Sequence, residues 1–381
     1  MWKDNIQNKN MLYLLYCSIH GIEPDPVYLQ NFDPEQLLSK CISHKVVALI
    51  NNAVSRLPQY IISGEMKSKF HIETLKALRV NILFDQEKIK IFEQLENNKI
   101  WFMPLKGCII QDYYPGPGQR QMGDIDVLIS KEKADLVNEI MTSCGYSCEE
   151  FGLTHHDEYV KPPFYTFEMH RYLFRDKNEK WDVYYKNIKE KLVLKPGKKY
   201  EYEFTKEDFY IYFFMHGYNH FIKTGIGIRQ LVDTYLYLSK NNLDFSYIEK
   251  ELEKLGTSEG EKIFRNLAYK IFSDDIDLND YKLDETEDEY LSVILHSGVY
   301  GSLGMKIQNT LKQNGKNTKA SKFRYIMKRV FCIPKPYSRK YPRLYKNILT
   351  RPLIVGIRLC NGVTKRKQNV KNELDILKKI E

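Results

Sequence analysis

The sequence predicts an α+β fold, in which a small mixed sheet is flanked by N-terminal and C-terminal helical regions. Apolar residues recur at helical spacing over much of residues 1–100. Short apolar runs rich in β-forming residues follow between residues 100 and 186, and helical spacing returns after Phe204. With 381 residues, 43% of them hydrophobic and 13% aromatic, the chain is long and apolar enough to bury a sizeable core.

The N-terminal region, residues 1–85, is predicted to be helical. Asp33 and Pro34 form a helix-start signal, and the apolar residues after them recur at helical spacing up to Leu57. A second run with the same spacing covers residues 69–100. The helical pattern therefore extends to the point where the first predicted strand begins.

The next region, residues 86–200, is predicted to contain the sheet, because the spacing of the apolar residues changes there. The segment THHDEYV, residues 154–160, is interpreted as a loop at the mouth of a cleft. A metal-hydrolase interpretation of His156 and Asp157 lacks a downstream His–Asp set at a convincing position. The predicted order is strand–helix–strand–helix–strand–strand, with strands at 100–105, 125–130, 164–174 and 180–186 and helices at 107–114 and 131–146.

Residues 201–315 are predicted to form a helical domain that closes the cleft. His216 and His220 lie one helical turn apart in this region. Arg229 and Asp233 have the same spacing. These four side chains are interpreted either as surface pairs and core histidines or as contacts to the base, the ribose or the acceptor. They are therefore candidate substrate contacts.

Positive charge is concentrated around the basic C-terminal tail, residues 316–381. From Lys306 to Glu381 the chain has 21 lysines and arginines against three acids, a net charge of +18 within a whole-chain charge of +9. Residues 1–305 therefore carry a net charge of −9. Aromatic residues and prolines interrupt the basic ones, so the tail is predicted to bind nucleic acid, to lie on an anionic membrane surface, or to be a solvated segment.

The sequence also bears on location. The first nine residues are polar, no apolar signal segment follows them, and no window reaches the roughly 18 apolar residues that a membrane span needs. The seven cysteines are odd in number and scattered, which is typical of reduced thiols. We therefore expect a cytoplasmic protein without a transmembrane segment, membrane-peripheral if its tail lies on lipid.

Two acids, Asp124 and Asp126, lie on one predicted strand with a single residue between them. Alternate residues of a strand point to the same face, so the two carboxylates are expected to project together. Their repulsion and loss of solvation are unfavourable unless a cation offsets them. Two solvated acids at a strand end are one interpretation. A site for Mg²⁺ or Mn²⁺, which prefer oxygen ligands, is the other.

Neighbouring residues favour the metal site. Lys106 and Gly107 lie at a strand-to-helix turn, where backbone N–H groups attract anions and the missing side chain of Gly107 leaves room for a phosphate. Arg120 offers a bidentate phosphate donor. Glu168 lies between two apolar residues of a predicted strand, an unfavourable place for an unpaired acid. This combination is typical of metal-dependent phosphoryl chemistry.

These residues carry a resemblance to a known family. Gly107-Cys108, then GDIDVLI from Gly123, then a strand with Glu168 resembles the DNA polymerase β-type nucleotidyltransferase superfamily. Within it, the order LKG, GDIDVLI, FEMH and a later His resembles a bacterial family of nucleotidyltransferases with poorly known substrates. The resemblance covers about residues 75–240. It implies a small mixed-sheet polymerase β-like core.

The resemblance also implies roles for the site residues. Asp124 and Asp126 would ligate metal with the triphosphate, and Glu168 would bind a second metal ion and help to deprotonate the attacking hydroxyl. Asp182, on another predicted strand, competes with Glu168 for the third role. Cys108 stands where the family has Ser or Gly, and a thiol is a weak donor. The nucleotide-binding residues implied are Lys106, Gly107, Cys108, Arg120 and Gly123.

The resulting hypothesis is a metal-dependent enzyme that moves a nucleoside monophosphate from an NTP, with ATP a candidate, to a hydroxyl acceptor and releases pyrophosphate. One alternative is a catalytically silent nucleotide-binding or nucleic-acid-binding module. Another is a toxin-type nucleotidyltransferase that modifies tRNA or protein. The intact set of three acids argues against the silent module, whereas Cys108 argues weakly for it.

Overall fold

The chain is described here by a computed structural model, which covers residues 5–149, 151–174, 179–273, 281–299, 301, 304, 307, 311, 319–333, 341–347 and 349–365. It divides into two compact units. The first unit comprises residues 1–219 and 226–299, and the second comprises residues 220–225 and 300–381. The predicted domain boundaries at residues 85, 200 and 315 remain predictions.

The N-terminal part of the first unit is helical, as the sequence predicts. The Asp33 carboxylate accepts hydrogen bonds from the backbone N–H groups of Glu35 and Gln36 and so caps a helix at the predicted start signal. Ser63 caps the longest of these helices, which has 34 residues. The helices are α1 Ile6–His20, α2 Pro34–Ser43, α3 Val47–Val54 and α4 Gly64–Asn97.

The described residues form a five-stranded mixed sheet with the order β1-β2-β5-β4-β3. Strands β2 and β5 are parallel, and the other neighbouring strands pair antiparallel. This arrangement confirms the predicted α+β fold with a mixed sheet. The strands are β1 Phe102–Pro104, β2 Ile125–Ile129, β3 Ser147–Cys148, β4 His156–Lys161 and β5 Tyr165–His170, while β6 Val193–Leu194 and β7 Tyr202–Glu203 form a separate pair.

One face of the sheet is apolar and packs on helices. The short helix α5, Gly107–Ile110, follows β1, and α6, Ala134–Ser143, follows β2. Because side chains alternate along a strand, the residues between these apolar ones face the opposite side. The buried cluster joins strands, α4 and α6 through Ile125, Val127, Phe167, Met169, Tyr159, Ile91, Leu95, Val137 and Met141.

Two predicted elements are wrong. Residues 180–186 were expected to be a strand, because their aromatic residues favour strands, but they contain the helix α7, Glu179–Tyr184. Trp181 and Tyr185 lie four residues apart and are both buried, as helical spacing allows. The expected loop at residues 154–160 contains strand β4, in which Asp157 and Tyr159 are buried between more exposed residues.

Helices return after β7, as predicted, and close the first unit. Buried aromatic residues dominate the N-terminal half of helix α8, Lys206–Thr224, including Tyr210 and Tyr212, neither of which is exposed. The helices are α8 Lys206–Thr224, α9 Arg229–Lys240, α10 Phe245–Leu255, α11 Ser258–Phe272 and α12 Glu285–Ser297.

The second unit contains helices of the basic C-terminal region. They are α13 Lys319–Phe331, α14 Pro342–Lys346 and α15 Arg351–Lys365. Ile307 and Leu311 are buried against Tyr325. Helix α13 exposes 64% of Phe323 and 59% of Phe331. Across the described ranges, no helix combines the length and apolar character that crossing a membrane requires.

Candidate functional site

The candidate site lies on the polar face of the sheet, where β2 and β5 pair. The parallel register places Asp126 opposite Glu168 and Leu128 opposite His170. Register partners share a face of a sheet, so the two acids and His170 are on the side opposite the apolar cluster. Strand β4 pairs with β5 on its other side, and there Glu158 lies opposite Glu168 and His156 lies opposite His170.

Asp126 is the buried centre of the site, with only 6% of the residue exposed. The Lys106 ammonium donates a hydrogen bond to Asp126 Oδ1 over 2.7 Å, and His170 Nε2 lies 2.8 Å from the same oxygen. Burial alone would raise the pKa of Asp126, but the Lys106 charge and the His170 hydrogen bond hold it well below its usual range. Asp126 is therefore ionised, and the Lys106 charge and the His170 hydrogen bond stabilise its negative charge.

His170 joins the two acids. Its Nε2 lies 3.4 Å from Glu168 Oε2 as well as 2.8 Å from Asp126 Oδ1. Burial would lower the pKa of His170, but the hydrogen bonds to Asp126 and Glu168 raise it above its ordinary value. One ligating atom from each of these three residues lies within 4.8 Å of the other two.

Asp124 lies just before β2 and is exposed at the surface. Loss of solvation beside the protein raises the pKa of the Asp124 carboxyl most. The negative charges of Asp126 and Glu168 raise it further. Asp124 is thus within electrostatic reach of both acids. Of the three predicted acids, the structure brings Asp126 and Glu168 into one group with His170, and that group does not include Asp124.

The donor set fits a divalent cation. Carboxylate oxygens of Asp126 and Glu168, which lie in one group with His170, are ligands that Mg²⁺ and Mn²⁺ prefer. The Lys106 ammonium now holds the Asp126 oxygen that an ion would take. Binding of an ion at Asp126 would therefore release Lys106 for another anion.

The turn after β1 differs in detail from the predicted phosphate cradle. A Cβ built on Gly107 would lie 2.6 Å from Arg120 Nη1 and 2.6 Å from Met122 Cε. The space beside Gly107 is thus filled by two protein side chains. Cys108 is buried, and burial raises the pKa of its thiol to about 12, so the thiol stays protonated at neutral pH. Gly123 is exposed.

Arg120 is held in a buried ion pair. Its Nε and Nη2 donate to the two carboxylate oxygens of Asp233 over 3.0 and 2.8 Å, and Tyr114 Oη donates to Asp233 Oδ1 over 2.7 Å. The predicted contact between Arg120 and a phosphate would require this pair to open. Arg229 donates to the backbone oxygen of Gln121 over 2.6 Å. Arg120, Arg229 and Asp233 thus join α9 to the segment before β2.

The remaining candidates lie elsewhere. Asp182 is on α7, and its Oδ1 is a buried oxygen without a hydrogen-bond partner. Among the described residues, the groups that could hold a metal ion include neither Asp182 nor Asp124. His216 is half-buried on α8, with its ring centroid 6.2 Å from that of Tyr212. His220 is exposed and belongs to the second unit.

Sequence reasoning missed His170 and the contact between Lys106 and Asp126. The signal for His170 is its spacing from Glu168 in FEMH, because residues two positions apart lie on one face of a strand. Asp124 and Asp126 have the same spacing. The contact of Lys106 joins residues 20 positions apart. It depends on the antiparallel pairing of β1 with β2, which the local pattern does not specify.

A comparison with protein families gives one match. The model of a protein family described as "Uncharacterised nucleotidyltransferase" matches residues 30–273. This span contains the five-stranded sheet and all the candidate residues named above. No curated protein and no solved structure gives a significant match to the chain.

Proposed function

Since the chain belongs to the family of uncharacterised nucleotidyltransferases, we propose that it transfers a nucleoside monophosphate from an NTP to a hydroxyl acceptor. The acceptor oxygen forms a bond to the α-phosphorus, the bond from that phosphorus to the bridging oxygen of the β-phosphate breaks, and pyrophosphate leaves. The observation that carries this proposal is the register of Asp126 with Glu168, beside Lys106 and His170.

In this proposal Asp124, Asp126 and Glu168 hold Mg²⁺ or Mn²⁺. A divalent ion bound there would offset the negative charge of the triphosphate and of the leaving pyrophosphate. Glu168 is more accessible than Asp126, with 23% of its side chain exposed against 7%, so it is the better placed acid to receive the proton of the acceptor hydroxyl.

Lys106 and His170 have supporting roles. His170 Nε2 fixes one oxygen of Asp126 and so orients its carboxylate. The Lys106 side chain is 14% exposed, and its ammonium contacts Asp126. Once Asp126 is neutralised by another cation, we propose that Lys106 binds a phosphate of the NTP.

The direct test follows two radioactive labels. Purified protein is incubated with each NTP, labelled at either the α- or the γ-phosphate, together with Mg²⁺ or Mn²⁺ and fractionated cell extract. We expect the α-label to appear in the acceptor and the γ-label only in pyrophosphate. Transfer of the γ-label to the acceptor would instead indicate phosphorylation.

Three variants make this test specific. Asp126→Asn and Glu168→Gln should abolish transfer, because each removes a carboxylate from the proposed metal site. Glu139→Gln is the matched control, since Glu139 is exposed on α6, which packs on the opposite face of the sheet. Full transfer by purified Asp126→Asn would rule out the proposed mechanism.

A silent nucleotide-binding module is the second candidate. The observation that favours it is the Arg120–Asp233 pair, which withholds the guanidinium from a phosphate. Such a module would bind NTP without consuming it. The same assay separates the two, because retained NTP affinity with no pyrophosphate release in any extract fraction would favour the silent module.

We also propose that the basic C-terminal region binds an anionic membrane surface. Helix α13 exposes apolar side chains at helical spacing, Phe323, Ile326, Met327 and Phe331, in a region with a net charge of +18 between Lys306 and Glu381. Full-length protein should therefore sediment with vesicles that contain anionic lipid. Binding should weaken with added salt and in the double variant Phe323→Ser/Phe331→Ser. Salt-sensitive binding of tRNA that this variant retains, without vesicle binding, would indicate nucleic acid instead.

A further inference from the structure

Three histidines lie together beside Asp126 and Glu168. His156 on β4 is the register partner of His170 on β5, and His155 precedes β4 directly. The ring centroids are 4.4 Å apart for His155 and His156, and 5.0 Å apart for His156 and His170. The proposed transfer reaction uses His170 only to orient Asp126 and does not use the other two.

The spacing of the ring nitrogens suits a metal ion. One ring nitrogen from each of the three histidines lies within 4.8 Å of the other two. His155 Nε2 and His156 Nδ1 are 3.1 Å apart. Two nitrogen ligands in a tetrahedral site with bonds of about 2.05 Å are separated by about 3.3 Å, so this pair needs little movement to share an ion.

His170 already has the surroundings of a metal ligand. Its Nε2 is engaged with the Asp126 carboxylate, whereas its Nδ1 is buried and has no hydrogen-bond partner. A buried polar atom without a partner is unfavourable. Histidines that ligate metal ions usually direct their second ring nitrogen to a carboxylate, which orients the ring and makes it a better ligand. The Asp126–His170 pair has this arrangement.

We propose that His155, His156 and His170 form a binding site for a transition-metal ion of the zinc type. The site is distinct from the carboxylate site proposed for Mg²⁺ or Mn²⁺, and it does not depend on the proposed transfer reaction. Neutral imidazoles suit Zn²⁺ and Co²⁺ much better than Mg²⁺, which prefers oxygen.

His155 and His156 lie nearer the surface than the buried His170. Both His155 and His156 are half-buried, so an ion can reach them from solvent.

The experiment uses Co²⁺ as the probe, because tetrahedral Co²⁺ has intense visible absorption bands. Full-length protein is titrated with Co²⁺ in excess Mg²⁺, which occupies the carboxylate site, and Zn²⁺ is then added as a competitor. We expect saturable tetrahedral bands that Zn²⁺ abolishes. His155→Ala and His156→Ala should each weaken Co²⁺ affinity at least about tenfold.

The control is His71→Ala, since His71 is exposed on α4. It should bind Co²⁺ as the unmodified protein does. Urea unfolding of each variant shows whether its fold is intact, and if His156→Ala does not fold, His155→Ala decides. Absence of tetrahedral bands, or unchanged affinity in both variants, would overturn the proposal.

The two proposals fail separately. Transfer of the α-label in Mg²⁺ alone tests the carboxylate site, whereas Co²⁺ spectra in the absence of NTP test the histidine site. A protein that transfers nucleotide but shows no Co²⁺ bands retains the proposed function and lacks the histidine site. A protein that shows the Co²⁺ bands but transfers no nucleotide has the histidine site and lacks the proposed function.

Discussion

Asp126 and Glu168 are register partners on the parallel strands β2 and β5, and the imidazole of His170 contacts both carboxylates. Two acids this close repel each other unless positive charge offsets them. Lys106 supplies that charge, and Lys106 and His170 make hydrogen bonds of 2.7 and 2.8 Å to the same oxygen of Asp126. The protein therefore stabilises the ionised form of Asp126 with its own side chains.

The first prediction concerns the stability of Asp126→Asn. Repulsion between Asp124 and Asp126 alone would predict that this variant is as stable as the unmodified protein or more so. The ion pair reverses that expectation, because the substitution leaves the largely buried Lys106 ammonium without its partner. We expect the free energy of unfolding to fall by about 3 kcal/mol. Urea titration at pH 7 without divalent ions measures this change.

A double-mutant cycle provides the control for Asp126→Asn. Lys106→Met combined with Asp126→Asn removes both charges, so the double variant should be more stable than the sum of the two single effects predicts. An unchanged or higher unfolding midpoint in Asp126→Asn would contradict the importance of the pair.

The second prediction concerns Gly107. An alanine Cβ there would lie 2.6 Å from Arg120 Nη1 and from Met122 Cε. Met122 can move, but Arg120 is held by Asp233, so Gly107→Ala should lower the free energy of unfolding by about 1–3 kcal/mol. The control is Gly64→Ala, since a Cβ at Gly64 meets no atom within 4 Å. Equal stability of the two variants would show that the contact at Gly107 relaxes freely.

Local patterns were sufficient to predict most of the fold. Helical spacing identified α2 to α4 and α8 to α10, and the change of spacing near Ile100 located β1 and β2. The same method failed at residues 180–186, where aromatic residues favour a strand but Trp181 is buried on a helix and donates from Nε1 to the backbone oxygen of Leu255. The partner of Trp181 lies 74 positions along the chain, where a local sequence pattern does not reach.

Local patterns also predicted some of the candidate site residues but not the contacts between them. The pattern of acids predicts Asp124, Asp126 and Glu168 because alternation on a strand is local. The partners of these acids are not local. Arg120 was expected at a phosphate and is instead bound to Asp233, 113 residues along the chain. Which side chains neutralise a buried charge depends on packing between distant segments, and a single sequence does not specify it.

The third prediction follows from the Arg120–Asp233 pair, whose side chains are 7% and 2% exposed. Asp233→Asn would leave the guanidinium buried without a countercharge, so we expect the free energy of unfolding to fall by about 3–5 kcal/mol. Tyr114→Phe removes only one neutral donor to Asp233 and should lower it by about 1 kcal/mol. Urea titration compares them. Similar effects in the two variants would mean that solvent reaches Arg120.

The fourth prediction concerns the dependence of stability on pH. His44 is only 2% exposed, and its Nδ1 accepts a hydrogen bond from the backbone N–H of Ile228, so its ring is neutral in the folded chain. Burial lowers the pKa of His44 to about 4, with a further effect of the Lys40 charge. In the unfolded chain the pKa is near the ordinary value of about 6.5. The unfolded state therefore binds the proton first as the pH falls.

The sign of the effect follows from this difference. The contribution of neutral His44 to stability is fully present above about pH 6.5 and is lost as the pH falls towards 4, and by pH 5 the loss amounts to about 2 kcal/mol. His44→Asn keeps an acceptor oxygen but no titrating group, so its unfolding free energy should decrease less between pH 7.5 and 5. His71→Asn, at an exposed histidine, should follow the unmodified protein. Parallel pH profiles for His44→Asn and the unmodified protein, measured by urea titration, would show that His44 is not the group responsible.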